Sequence, residues 1–192
     1  EDRDAAAYAM NDLYALLDEK RVLFFPSAYK RSVLYGREDA ESIVMRTNTM
    51  NAIKSLTAGD YLVVCTYPDA IAEKIVASQT LEEQKIRISR GDRVDIADLV
   101  EALEGQGFVR VDFVYEPGQY SVRGGIVDIF SYVESKPYRV DFFGDEIDSL
   151  RRFDISSQLS AERPDSVEIV ANTMRDGENT QRVSLAQFAG RA

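Results

Sequence analysis

Two arginines, a phenylalanine and the carboxylates around them are the residues of this chain best suited to chemistry, and the chemistry is recognition. The stretch YSVRGGIVDIF, beginning at Tyr120, is followed after a short polar break by PYRVDFFGDEIDSLRRFD, ending at Asp154. Apolar and polar residues alternate through both, which is the period of half-buried strands. Along Pro137–Phe143 the alternation gives Tyr138, Val140 and Phe142 to one face and Arg139, Asp141 and Phe143 to the other. With the first set packed on a core, a large aromatic ring is left outside beside a guanidinium and a carboxylate. Arginine with an exposed aromatic is the make-up of a protein-interface hot spot.

Bond-making chemistry has few candidates. Histidine is absent, which removes the usual triads, most general-base schemes near neutral pH and most transition-metal sites. The single cysteine, Cys65, ends an apolar run and reads as a small core residue; alone it forms no internal disulfide and no multi-cysteine zinc site. No Gly-rich phosphate loop is present: Arg123-Gly124-Gly125 lies between strand-like segments with no helix following, and reads as a β-bulge or a close backbone approach. The acidic group Asp141, Asp145, Glu146 and Asp148 lacks the spacing of an EF-hand loop and reads as a solvated strand edge, with a carboxylate-based metal hydrolase as the competing idea. Arg123 has a structural alternative, pairing with Asp128 or Asp141, and Arg151-Arg152 reads as surface charge. Tyr29, Lys30, Arg31, Tyr35 and Arg37 make a basic, aromatic loop suited either to nucleic acid or to anchoring a solvated connector. The net charge of −10 argues against sequence-independent nucleic-acid binding by the chain as a whole.

These residues need a scaffold, and the pattern predicts two kinds. Asp4–Glu19 carries Met10, Leu13, Leu16 and Leu17 at helical spacing. Buried strands are expected at Arg21–Phe25 and Tyr61–Cys65, with helices at Glu38–Leu56 and Asp69–Val76, an alternation that suggests a parallel α/β sheet. Beyond Glu82 the pattern changes to α+β. It has a strand at Glu83–Ser89, a helix at Asp95–Gln106, and strands at Phe108–Tyr115, Gln119–Phe130, Tyr138–Phe143 and Glu146–Phe153, the last two joined by a tight Gly144-Asp145 hairpin. Val167–Ala171 reads as a final strand and Asn172–Ala192 as a polar tail with an incipient helix at Ser184–Phe188. An opening in mid-helix without a strong cap suggests an excised piece. No apolar run approaches the length of about 18 residues that a membrane span needs, and with one cysteine the chain reads as cytoplasmic.

The block YSVRGGIVDIF…PYRVDFFGDEIDSLRRFD closely resembles the amino-terminal, UvrB-like region of the bacterial transcription-repair coupling factors, the Mfd family. The excinuclease subunit UvrB has a related pattern, with an Arg-Gly and a FFGDEI-like element. Weaker similarity runs from Arg21 to Asn172: FFPSAYKRS resembles the family's short connector, and Arg46-Thr47 to Ile53 its following helix. UvrB inserts a long tyrosine-rich hairpin where this chain has only Ala28–Asp39, so the coupling factors are the better match and a UvrB-type fragment is the alternative. The resemblance implies a non-catalytic adaptor that recruits the damage-recognition subunit UvrA through Arg123, Arg139 and Phe143, with Gly124 and Asp141 in support. It also implies no cofactor and no metal, a monomeric piece, and contacts to RNA polymerase and DNA only through other parts of an ATP-driven translocase. The expected architecture is a partial, helicase-like parallel α/β domain, 1–82 with a strand returning at about 166–172, and an inserted antiparallel α+β domain, 83–157. Residues 173–192 would be a polar tail starting a further element.

Overall fold

A computed structural model describes residues 2–28, 40–83, 85–170, 172 and 181–190. It divides into two units, Glu1–Glu82 with Asp176–Ala192, and Glu83–Arg175. The basic loop Tyr29–Arg37 lies outside the described residues.

In the first unit helix α1 (Arg3–Tyr14) is capped after all: the Asp2 side chain accepts a hydrogen bond from the Ala5 N–H at 3.1 Å. Strand β1 (Val22–Phe24) follows, then helix α2 (Ala40–Lys54) and strand β2 (Val63–Cys65), which pairs parallel with β1 in the register Val22↔Val63 to Phe24↔Cys65. The buried side of α2 holds Ile43, Met50 and Ile53 as expected, but also Ser42, Arg46, Thr47 and Thr49, while Met45 is only half-buried. Arg46 is sheltered because it stacks on Phe25 at 4.1 Å, donates to the Pro26 carbonyl at 2.7 Å and pairs with Glu73 at 3.0 Å.

Helix α3 is short, Pro68–Ala72, and the expected continuation to Val76 is instead strand β3 (Ile75–Val76). Glu73 leaves the helix with extended backbone, its carboxylate drawn to Ser27, the Ala28 N–H and Arg46. Helix α4 (Ser78–Glu83) takes up the start of the strand expected at Glu83–Ser89, leaving strand β4 at Ile86–Ser89.

The second unit continues with helix α5 (Ile96–Gly105), capped by Asp95, and strand β5 (Val109–Arg110). Only these two residues of the strand expected at Phe108–Tyr115 enter the sheet. The single strand expected at Gln119–Phe130 is a hairpin of β6 (Gln119–Arg123) and β7 (Ile126–Ile129). Gly124-Gly125 is therefore its two-residue turn and not a bulge. Gly124 has φ +59°, a conformation that side chains other than glycine resist, and it occupies the first turn position as a type II′ turn requires.

Strands β8 (Tyr138–Phe143) and β9 (Glu146–Phe153) form the second expected hairpin, turning at Gly144 with φ +67°. Strand β10 (Ser160–Glu162), unforeseen in the sequence, completes a six-stranded sheet of order β10-β9-β8-β7-β6-β5, antiparallel except for β5–β6. The β8–β9 register slips between Asp141↔Ser149 and Phe142↔Ile147, so Asp148 is an extra residue. That bulge buries Ile147 and Leu150, three positions apart, on one face.

The buried face carries Tyr120, Val127, Ile129, Tyr138, Val140 and Leu150. Leu99 and Leu103 of α5 are buried too, and Tyr120 reaches that helix through a 2.5 Å bond to Glu104.

Strand β11 (Ser166–Ile169) pairs antiparallel with β4. The strand expected to return to the first unit thus belongs to the second. The return is made later by β12 (Arg182–Val183), which pairs with β3, and by helix α6 (Leu185–Ala189), which starts with a Ser184–Gln187 capping box and buries Phe188. Both units mix helices with strands, in keeping with the mixed α/β and α+β class read from the sequence. Parallel pairing is confined to β1–β2 and β5–β6 among the described residues.

Candidate partner-docking site

The hairpin registers decide what the second face of the six-stranded sheet holds. Ser121 lies opposite Asp128, Asp128 opposite Arg139, and Arg139 opposite Arg151, while Arg123 lies opposite Ile126 and Ile126 opposite Asp141. Both hairpin turns, after Arg123 and after Phe143, fall at the same end of the sheet, and the Phe142 N–H donates to the Gly125 carbonyl at 2.7 Å to tie them together.

Asp128 is the centre of this face. Its residue is 1% exposed, and its carboxylate accepts from Arg139 Nε at 2.7 Å, Arg139 Nη2 at 2.8 Å and Arg123 Nη2 at 2.5 Å. Charge-assisted bonds of this kind are short and strong, and the fork of Arg139 grips both oxygens. The hydrogen bonds to Asp128 strengthen the hold of the Arg139 guanidinium on its proton, against burial, which weakens it.

Arg139 also stacks on Phe153 at 4.3 Å and donates to the Gln158 amide oxygen at 3.0 Å. Gln158 sits in the left-handed region at φ 58°. With a side chain 16% exposed, Arg139 shows solvent an edge of its guanidinium, where alternation alone pictured an outward-projecting side chain. Beneath it Val114, Phe130 and Phe153 make a small core on this face, joined by Val111 and Ile155.

Arg123 resolves its open pairing in favour of Asp128. Its Nη1 further donates to Ser121 Oγ at 3.2 Å and to the Asp112 carbonyl at 3.1 Å, and its guanidinium stacks on Phe113 at 4.9 Å. Asp141 is occupied differently: Arg151 forks onto both its oxygens, at 2.6 and 2.9 Å, and Ser149 Oγ donates at 2.6 Å. It braces β8 against β9 and does not meet Arg123. Among the described residues no three His, Cys, Asp or Glu side chains converge as metal ligands.

Phe143 stands apart from this network, 84% exposed at the end of β8. The tip that carries it is stiffened from the outer side of β9. The Val94 N–H donates to the Asp145 carbonyl at 2.8 Å, the Ile147 N–H donates to the Asp92 carbonyl at 2.9 Å, and Arg93 bridges to Glu146. A large apolar ring is thus exposed at the turn end of the sheet face that carries the two tethered guanidinium groups.

Three participants escaped the sequence reading. Asp128 was named only as one possible partner of Arg123, and placing it opposite Arg139 takes the β7–β8 register across the polar break after Phe130. Phe113 and Gln158 reach the site from irregular segments that no periodicity marks.

Comparison with known proteins says which kind of domain carries this architecture. Residues 86–174 match the family described as the UvrB interaction domain. The chain is similar to transcription-repair-coupling factors: it is 31% identical to that of Haemophilus influenzae over 130 residues, 68% of this chain and 11% of the relative. Identity is 30% to that of Escherichia coli over 128 residues, 67% and 11% respectively, and 29% to that of Bacillus subtilis over 159 residues, 83% and 13%. The chain thus spans 11–13% of the length of these relatives. The resemblance read from the motif block is borne out. Among the described residues no helix is long and apolar enough to cross a membrane.

Proposed function

We propose that this chain is the adaptor part of a transcription-repair coupling factor, binding UvrA without catalysis of its own. Through other parts of the full-length protein it would bring UvrA to RNA polymerase stalled at DNA lesions. The observation that carries the reading is the shared sheet face. Arg123 and Arg139, tethered to one buried carboxylate, lie on the face that an exposed Phe143 extends at the turn end of β8, in the segment that matches the UvrB interaction domain. Phe143 would enter an apolar pocket of UvrA. Among the described residues Arg139 Nη1 and Arg123 Nε keep donors without a protein partner, and these would meet UvrA carboxylates.

Titration of the 192-residue chain with purified UvrA tests this. Phe143→Ala touches no internal bond, so its melting temperature stays at the wild-type value while affinity falls about thirtyfold, the roughly 2 kcal/mol of a hot-spot anchor. Wild-type affinity in Phe143→Ala and in Arg123→Ala together would sink the reading. So would a well-folded wild-type chain that does not bind.

A further inference from the structure

We propose that Phe113 is a second apolar contact of this docking face, taking a partner segment in which a large apolar side chain lies next to a carboxylate. The inference rests on the UvrA-docking reading and adds a residue to it. Phe113 is 65% exposed, so it contributes little to the core. It follows the point where β5 leaves the sheet, and it is held in place from the site itself: Arg123 donates to the Asp112 carbonyl and stacks across the Phe113 ring.

Beside the ring lies an open cleft of about 510 Å³ lined by Arg110, Val111, Asp112, Phe113, Val122 and Arg123. Arg110 lies in register with Tyr120 and its charge acts on that hydroxyl, so the cation this cleft offers beside the ring is Arg123. A stacked guanidinium and an aromatic wall favour an anion attached to an apolar group. The strand order places three intervals between β8 and β5, roughly 14 Å at ordinary sheet spacing. Phe143 and Phe113 therefore flank the arginine pair from opposite sides, within the width of one standard interface. Two separated apolar contacts around a polar centre fix the orientation of a partner as well as its affinity.

The experiment measures affinity of purified UvrA for the 192-residue chain and its Phe113→Ala, Phe113→Tyr, Phe143→Ala and Arg123→Ala variants, with the Phe113→Ala/Arg123→Ala double variant. Phe113→Ala should melt like wild type and bind about tenfold more weakly, and Phe113→Tyr, which keeps the ring, should bind within about twofold of wild type. In the Arg123→Ala background the loss from Phe113→Ala should persist. Its disappearance there would mean that Phe113 acts only by orienting Arg123, and would overturn a direct contact. Wild-type affinity in Phe113→Ala alongside a loss in Phe143→Ala would overturn this inference and leave the UvrA reading standing. Failure of the wild-type chain to bind UvrA would remove the reading itself. Concentration-dependent dimerisation abolished by Phe113→Ala, with UvrA affinity unchanged, would assign the ring to a second copy of the chain and equally overturn the proposal.

Discussion

Asp128 shows how much a single residue can decide about a surface that it scarcely touches. Its carboxylate is buried, and its side-chain bonds go to two arginines on the second face of the six-stranded sheet. Removing the negative charge leaves two guanidinium groups partly desolvated and mutually repelling. Loss of one member of such a network costs about 3 kcal/mol, so Asp128→Asn should lower the chemical-denaturation midpoint of the second unit and loosen both arginines together. An unchanged midpoint would show that solvent fully replaces the bonds. The same reasoning warns against Arg139→Ala as a test of docking, because it strips the fork from a buried carboxylate and confounds folding with binding.

Two tyrosines on the opposite face set an alkaline limit. Burial, with the bond to Glu104 in second place, pushes Tyr120 up to about 12, and burial followed by the Glu134 bond does the same for Tyr138. In the unfolded chain a tyrosine ionises near 10. Between those values the unfolded state has released protons that the folded state retains, so stability falls as pH rises from about 10 to about 12. The stability contributed by keeping these hydroxyls neutral is whole below pH 10. Circular dichroism across that range, compared with a Tyr120→Phe/Tyr138→Phe variant, should show a shallower decline in the variant.

At the scale of elements, the two hairpins are what turn an alternating sequence into a site. The first depends on Gly124, whose positive φ sets the β6–β7 register and thereby the alignment of Asp128 with Ser121 and its reach to Arg123. A branched residue there meets the left-handed penalty of about 1–2 kcal/mol, so Gly124→Val should reduce stability by about that amount. It should also weaken UvrA binding beyond the fraction unfolded, because Arg123 immediately precedes the turn. Binding that tracks only the folded fraction would show that the hairpin tolerates the change locally. The second hairpin relies on Asp148, which as the extra residue of β9 lets Leu150 be buried on the same face as Ile147. Strict alternation could not represent that slip, yet it still assigned Phe143 correctly, since the extra residue lies on β9 and leaves the phase of β8 intact.

For the whole molecule, the chain visits the first unit, builds the second, and comes back. The return is made by β12 and α6, which bury Val183 and Phe188 and pair with β3. Truncation after Arg175 should therefore expose apolar surface in the first unit and lower its melting temperature, while the second unit keeps its docking face and its affinity for UvrA. Loss of binding on truncation would mean that the first unit supports docking directly.

What the sequence determined by itself was whatever local periodicity and turn chemistry encode. Alternation over Tyr138–Phe153, the Gly144-Asp145 turn, the helix over Asp95–Gln106 and the family pattern around Arg123, Arg139 and Phe143 were all legible, because neighbours in the chain suffice to specify them. Tertiary structure decided the rest. Only strand pairing brought Asp128 between two arginines 16 positions apart, made Arg139 half-buried over Phe153, and placed Phe113 against Arg123. The same held for β11, whose apolar pattern marked a strand but carried no sign of its partner. Pairing and burial arise from contacts between distant segments, and those contacts leave no period in the sequence to read.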